Sequence, residues 1–146
     1  MPVLYHVVMG VFKTASSAHF RLVYRLALVT YQRRRCLSEA MLSEIAAICR
    51  AVLSDWGCEL TEFVGGAEYV LLRFEANPSV APARLVNRLK TATSRELRRH
   101  YRLALQEAAP EGVSLKLRRS GLWALSYAIT SAEGAGEGEL WRYIRG

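Results

Sequence analysis

The chain has 146 residues, 51% of them hydrophobic and 23% charged, which suits one packed domain and excludes a largely disordered chain. Twenty Lys and Arg stand against 13 Asp and Glu, giving a formal net charge of +7. That excess favours a polyanionic partner, nucleic acid or an anionic membrane surface, over an acidic one. No apolar run approaches the roughly 20 residues of a membrane span. Residues 3–12 are apolar, but no basic region precedes them and His6 interrupts them, so they do not read as a signal peptide. Cys36, Cys49 and Cys58 are odd in number and lack metal-ligand spacing, which points to a reducing, cytoplasmic setting.

Residues 1–18 show no clear period. Residues 1–20 are read as an N-terminal extension, either an added strand or a poorly ordered segment, and 21–146 as a single domain. Residues 23–30 carry the β-branched and aromatic content of a strand and run into the basic exit Arg33, Arg34 and Arg35. A helix follows, with Ser38 as N-cap. Met41, Leu42, Ile45, Ile48, Cys49, Val52 and Leu53 keep helical spacing, which makes Cys49 a core residue, and Trp56-Gly57 ends the helix.

Residues 59–64 read as the next strand. Gly65-Gly66 is expected to form a tight hairpin turn using positive φ. Residues 69–74 are apolar on both faces, as in a central strand, and Asn77-Pro78 ends them. A long helix is expected from Pro82, with Leu85, Val86, Leu89, Ala92 and Leu97 buried; Thr91, Thr93 and Ser94 are candidates to bend or split it. Residues 115–119 suggest a short strand or arm, 125–130 a further strand, and 139–145 a terminal helix. Strand, helix, hairpin, helix, strand and helix make a split βαβ, ferredoxin-like α+β fold: an antiparallel sheet with helices mainly on one face.

Four stretches carry a family resemblance. Residues 24–34 form a strand with a basic exit. Glu68 to Leu72 lies on the central strand. Asn77-Pro78 leads to a helix with Leu89-Lys90 and Thr93-Ser94-Arg95. Leu122-Trp123 with Ser126-Tyr127, and then Tyr143-Ile144, close the chain. Together they resemble the single-tyrosine HUH transposases of small insertion sequences and their repeat-associated relatives. The resemblance implies a dimer that binds hairpins in single-stranded DNA and attacks a phosphodiester with a helix-borne tyrosine, leaving a 5′-phosphotyrosine. A divalent metal, Mg or Mn, held by two histidines and a glutamine, would polarise the phosphate, because a neutral tyrosine is a weak nucleophile.

On this alignment Tyr143 takes the nucleophile position. Tyr69 and Leu71 take the two histidine positions, and the glutamine position falls one residue past Gly146. Leucine cannot ligate a cation, and Glu68 alone is a poor Mg²⁺ site. The expectation is therefore a degenerate metal site with no metal cofactor, and Tyr143 as a vestigial nucleophile. Its competing role is a ring packed on the sheet. Trp123 and Tyr127 read as core residues before base-stacking platforms.

Arg33, Arg34 and Arg35 leave one strand end together. Arg84, Arg88, Lys90, Arg95, Arg98, Arg99 and Arg102 share one helical region opposed only by Glu96. A solvated helix normally interleaves both signs, so this crowding suggests phosphate contacts. Lys116, Arg118 and Arg119 extend the basic set. Three functions compete: a DNA-binding protein that recognises hairpin or single-stranded DNA without cutting, an active transposase or nickase working through Tyr143, and a dimerisation module without nucleic acid. A metal-dependent covalent adduct separates the first two, and salt-dependent DNA binding excludes the third.

Overall fold

The computed structural model describes residues 3–6, 13–15, 18–20, 22–107, 121–131 and 137–146. The expected strand or arm over 115–119, with Lys116, Arg118 and Arg119, lies outside the described residues. In chain order the elements are β1 (Val3–His6), β2 (Lys13–Ala15), β3 (Ala18–Phe20), β4 (Leu22–Val29), a 3₁₀ turn (Tyr31–Arg33), α1 (Glu39–Asp55), β5 (Glu59–Gly65), β6 (Tyr69–Ala76), α2 (Pro82–His100), α3 (Arg102–Glu107), β7 (Ala128–Ser131) and α4 (Glu137–Arg145). Five strands form an antiparallel sheet in the order β1-β5-β6-β4-β7, and β2 pairs with β3 separately.

The period-two alternation of the central strands distributes the core between two faces. Leu26 and Leu28 of β4 and Val70, Leu72 and Phe74 of β6 meet the buried sides of α1 and α2. Ala27 and Val29 of β4 and Leu71 of β6 face the other way and pack with Leu140 and Ile144 of α4. The register pairs Ala27 with Leu71 and Val29 with Tyr69. The two positions assigned to metal ligands therefore lie on the α4 face of the sheet, the face that carries Tyr143. The fold is the α+β antiparallel sheet expected, with α1 and α2 on one face and α4 on the opposite one.

α1 begins where the sequence places its cap: the Ser38 hydroxyl accepts from the Met41 N–H at 3.2 Å, satisfying one of the four orphan donors of a helix start. Gly57, at φ +70°, follows its C-terminus. Cys49 is fully buried, and burial pushes its thiol up to about 12.

Three local expectations are corrected. Gly65 and Gly66 do not take positive φ. They are needed for room: a Cβ on Gly65 would come within 2.5 Å of Leu42 Cδ2 in α1, and one on Gly66 would collide with the Tyr69 ring. The hairpin turn spans residues 66–69, closed by Gly66 N–H to Tyr69 O at 3.0 Å. α2 is not split. The Thr91 and Thr93 hydroxyls donate to the carbonyls of Asn87 and Leu89 one turn back, which keeps both residues inside a continuous helix. The last strand is also shorter than expected: residues 122–127 are irregular and the strand starts at Ala128.

Candidate nucleic-acid interface and tyrosine site

A cleft of about 790 Å³ runs between α2 and residues 121–123. Its helix side carries Lys90, Arg95, Arg98 and Arg99, and Arg102 of α3 extends it. Leu122 and Trp123 form the opposite wall. Of the basic residues singled out from sequence, this cleft gathers these five. Arg88 is exposed on α2 but does not line it.

The wall is fixed by α2 itself. The Ser94 hydroxyl accepts the Leu122 N–H at 3.0 Å. The Thr93 hydroxyl accepts the Trp123 indole N–H at 2.8 Å while donating to Leu89 O at 2.7 Å. Trp123 is 1% exposed, so it is a core residue, as the sequence suggested. Gly121 sits at φ +71°, where an added Cβ would lie 2.8 Å from Ser94 Oγ and 3.3 Å from an Arg98 guanidinium nitrogen. Only glycine suits that backbone and that approach. Lys90 Nζ donates to Ala124 O at 2.7 Å and Leu125 O at 3.2 Å. Burial lowers the affinity of that amine for its proton below the ordinary lysine value. Two of its three donors hold backbone, so Lys90 is as much a clamp on residues 124–125 as a surface charge.

Arg33, Arg34 and Arg35 form a second group, apart from the cleft. Gln32 and Arg33 take positive φ, 55° and 51°, an uncommon and strained backbone for side-chain-bearing residues. The turn is closed by Thr30 Oγ1 donating to Arg34 O at 2.7 Å and Arg34 Nε donating to Tyr31 O at 3.2 Å, with the Arg34 guanidinium 5.4 Å from the Tyr31 ring centre. The exposed Arg33 guanidinium donates to Tyr143 O at 3.1 Å, near the C-terminus of α4. A cation there favours the negative end of the helix dipole. Arg35, 76% exposed, pairs with Glu68 at 3.1 Å. The two groups are joined through residues 122–126. Tyr31 N–H bonds Leu122 O, Ala124 N–H bonds Val29 O, and Ser126 Oγ lies 2.9 Å from Tyr143 Oη.

Tyr143 is half-buried, its ring against the apolar cluster of α4 and the sheet and its hydroxyl shared with Ser126. Tyr69 packs edge-on against Trp141 of α4, ring centres 5.6 Å apart and planes at 73°. Burial and the neighbouring Glu68 carboxylate raise the Tyr69 phenol above its ordinary value, which opposes the phenolate a cation would need. Leu71 is 5% exposed inside the apolar cluster and offers no donor atom. These residues do not fit a divalent cation. Among the described residues, no group of three or more His, Cys, Asp or Glu is arranged to hold one. No helix of the described residues is long and apolar enough to cross a membrane.

Sequence reasoning missed Ser126 as the partner of the Tyr143 hydroxyl, and Asn87, Thr91 and Gly121 as cleft residues. Each depends on a contact between segments far apart in the chain. Only Gly121, a lone glycine before an apolar pair, left a trace in the sequence.

The sheet, its two covered faces and the tyrosine-bearing terminal helix define a transposase-type α+β domain. The family model for IS200-like transposases matches residues 18–146, and the chain belongs to that family. Its fold is similar to the crystal structure of a protein inferred to be a transposase from Deinococcus radiodurans R1. The TM-score is 0.75 at 22% identity, covering 91% of this chain and 95% of that one. It is also similar to a REP-associated tyrosine transposase bound to a REP hairpin, with TM-score 0.53 at 8% identity, covering 90% of this chain and 68% of that one. At such identities both likenesses establish the fold alone. No curated protein sequence matches the chain.

Proposed function

We propose that this transposase-family chain binds single-stranded or hairpin DNA through the α2 cleft and no longer performs metal-dependent strand transfer. The observation that carries the binding is the cleft itself. Arg95, Arg98, Arg99 and Arg102 line one concavity against a wall pinned by Thr93, Ser94 and Lys90. Crowding of one charge sign raises the local potential and suits a phosphate backbone. Arg33, which donates to the Tyr143 carbonyl, supplies a second set of phosphate contacts with its neighbours Arg34 and Arg35, and Arg88 an outlying one. A related fold has been captured on a REP hairpin, which makes a hairpin the natural first probe. Phosphate contacts hold and orient a strand without reading its sequence.

The loss of strand transfer is inferred from the α4 face. Tyr69 and Leu71 stand where the family's histidines are expected, and both are engaged in packing. Tyr143 is then a retained tyrosine whose ring and hydroxyl serve structure. The chain is further proposed to pair as a homodimer through exposed sheet edges, which light scattering at low concentration checks.

Charge reversal tests the binding. Arg95→Glu with Arg98→Glu, both on α2, is expected to abolish hairpin binding at 100 mM salt with an unchanged circular dichroism spectrum. Binding that survives the double reversal places the interface elsewhere. A Mg²⁺- or Mn²⁺-dependent covalent adduct that disappears in Tyr143→Phe would restore the active-transposase reading.

A further inference from the structure

Leu125 is 83% exposed. An isolated exposed leucine is ordinary on a protein surface and by itself signifies nothing. This one differs in how it is held. Lys90 Nζ bonds both the Ala124 and the Leu125 carbonyl, at 2.7 and 3.2 Å. Two residues earlier, Trp123 is buried and anchored on Thr93. One residue later, Ser126 Oγ meets Tyr143 Oη at 2.9 Å. An irregular segment is thus fixed from both ends and from beneath, and an apolar side chain is left in solvent at its crest.

Its position gives that crest a role. Leu122 and Trp123 are the wall of the arginine cleft, and Ser126 touches the tyrosine hydroxyl. Leu125 lies between them in the chain, in the segment that passes from the cleft wall to the tyrosine. Three residues, from Trp123 to Ser126, span at most ~10 Å, roughly three nucleotide steps at about 3.4 Å each. A strand that follows residues 123–126 from the cleft wall to Tyr143 passes Leu125 within about that many nucleotides. An aliphatic tip attracts no phosphate. What it can gain from a polynucleotide is contact with a base face, and leucine is among the side chains that wedge between base steps and unstack them.

We propose that Leu125 is a base-contacting wedge, which separates one unpaired base of the bound strand from its neighbour between the arginine cleft and Tyr143. This rests on the nucleic-acid reading above and adds to it a contact with a base, where the arginines supply contacts with phosphate only. Lys90 is the positioning residue of the wedge, acting through the two carbonyls it holds.

The test uses the full chain and a DNA hairpin with a single-stranded tail, 2-aminopurine replacing one tail base at a time. Wild-type protein is expected to raise the fluorescence at one tail position, where stacking is relieved, and to leave the others little changed. Leu125→Ala is expected to lose that rise and to bind about five- to tenfold more weakly, the loss expected for partial burial of a leucine side chain. Leu125→Met, which keeps the apolar bulk, retains both. An abasic nucleotide at that position is expected to equalise wild type and Leu125→Ala. Leu125 is almost fully exposed, so neither variant threatens folding. If Leu125→Ala binds with wild-type affinity and an identical fluorescence profile, the wedge is refuted while the cleft stands. If wild-type protein shows no salt-dependent binding to any strand, the nucleic-acid reading falls first, and the wedge with it.

Discussion

Thr93→Val removes the hydroxyl that joins α2 to the cleft wall and leaves the side chain's shape nearly intact. In the folded protein the Thr93 oxygen accepts the Trp123 indole N–H at 2.8 Å, and both residues are buried. The Leu89 carbonyl that receives the Thr93 hydroxyl keeps its helical partner, so its loss is small. The indole N–H has no substitute acceptor in valine, and a buried donor left unpaired costs about 1–3 kcal/mol. A destabilisation of about 2 kcal/mol follows, roughly 4–8 °C in Tm for a chain of this size. Urea unfolding followed by circular dichroism measures it. Trp123→Phe in the same cycle isolates the pair, with a coupling of about 1–2 kcal/mol expected. DNA affinity should fall with the salt slope unchanged, because no cation has been removed. A Thr93→Val variant within 0.5 kcal/mol of wild type, or a coupling near zero, would refute the claim that this bond fixes the wall.

Gly65→Ala drives a Cβ against Leu42 and should destabilise by about 1–3 kcal/mol through overpacking, read from the same urea curves. Arg35→Ala breaks an ion pair whose arginine is mostly in water; it should change stability by less than about 0.5 kcal/mol while still weakening DNA binding. Cys49 ionises near 9.0 when unfolded and near 12 when folded. Its thiol therefore costs no stability below pH 9 and withdraws about 1.4 kcal/mol per pH unit as pH rises from 9 towards 12. Urea midpoints at pH 9 and 10 should fall less in Cys49→Ala than in wild type.

The helices and central strands were legible because their signals are local. The 3.6-residue spacing from Met41 to Leu53 and the cap at Ser38 need no partner to be recognised. The apolar run of β6 likewise marked a strand covered on both faces, and α1 and α2 on one side and α4 on the other supply the cover. The errors arose where a distant segment decides the local structure. Gly65 and Gly66 looked like residues needed for backbone freedom, but Leu42 and Tyr69 make them residues needed for space. Thr93 and Ser94 looked like helix disruptors, but Trp123 and Leu122 give their hydroxyls work inside an unbroken helix. Residues 125–127 looked like strand, but Lys90 takes the carbonyl of Leu125. The basic residues were legible one by one. Their division into a cleft group on α2 and α3 and a tyrosine-side group at Arg33–Arg35 required the fold.

If the arginine cleft binds a nucleic-acid backbone, salt must weaken that binding. Fluorescence anisotropy with a labelled DNA hairpin, titrated at several salt concentrations against matched duplex and unstructured strand, reads that dependence. If Arg95, Arg98, Arg99 and Arg102 each meet one phosphate, log K should fall against log salt with a slope of about −2.8 on single strand and −3.6 on duplex geometry. Hairpin-preferring binding is expected, with a slope of at least about that size, flattened by Arg98→Gln. No binding at low salt, or binding indifferent to salt, would contradict it.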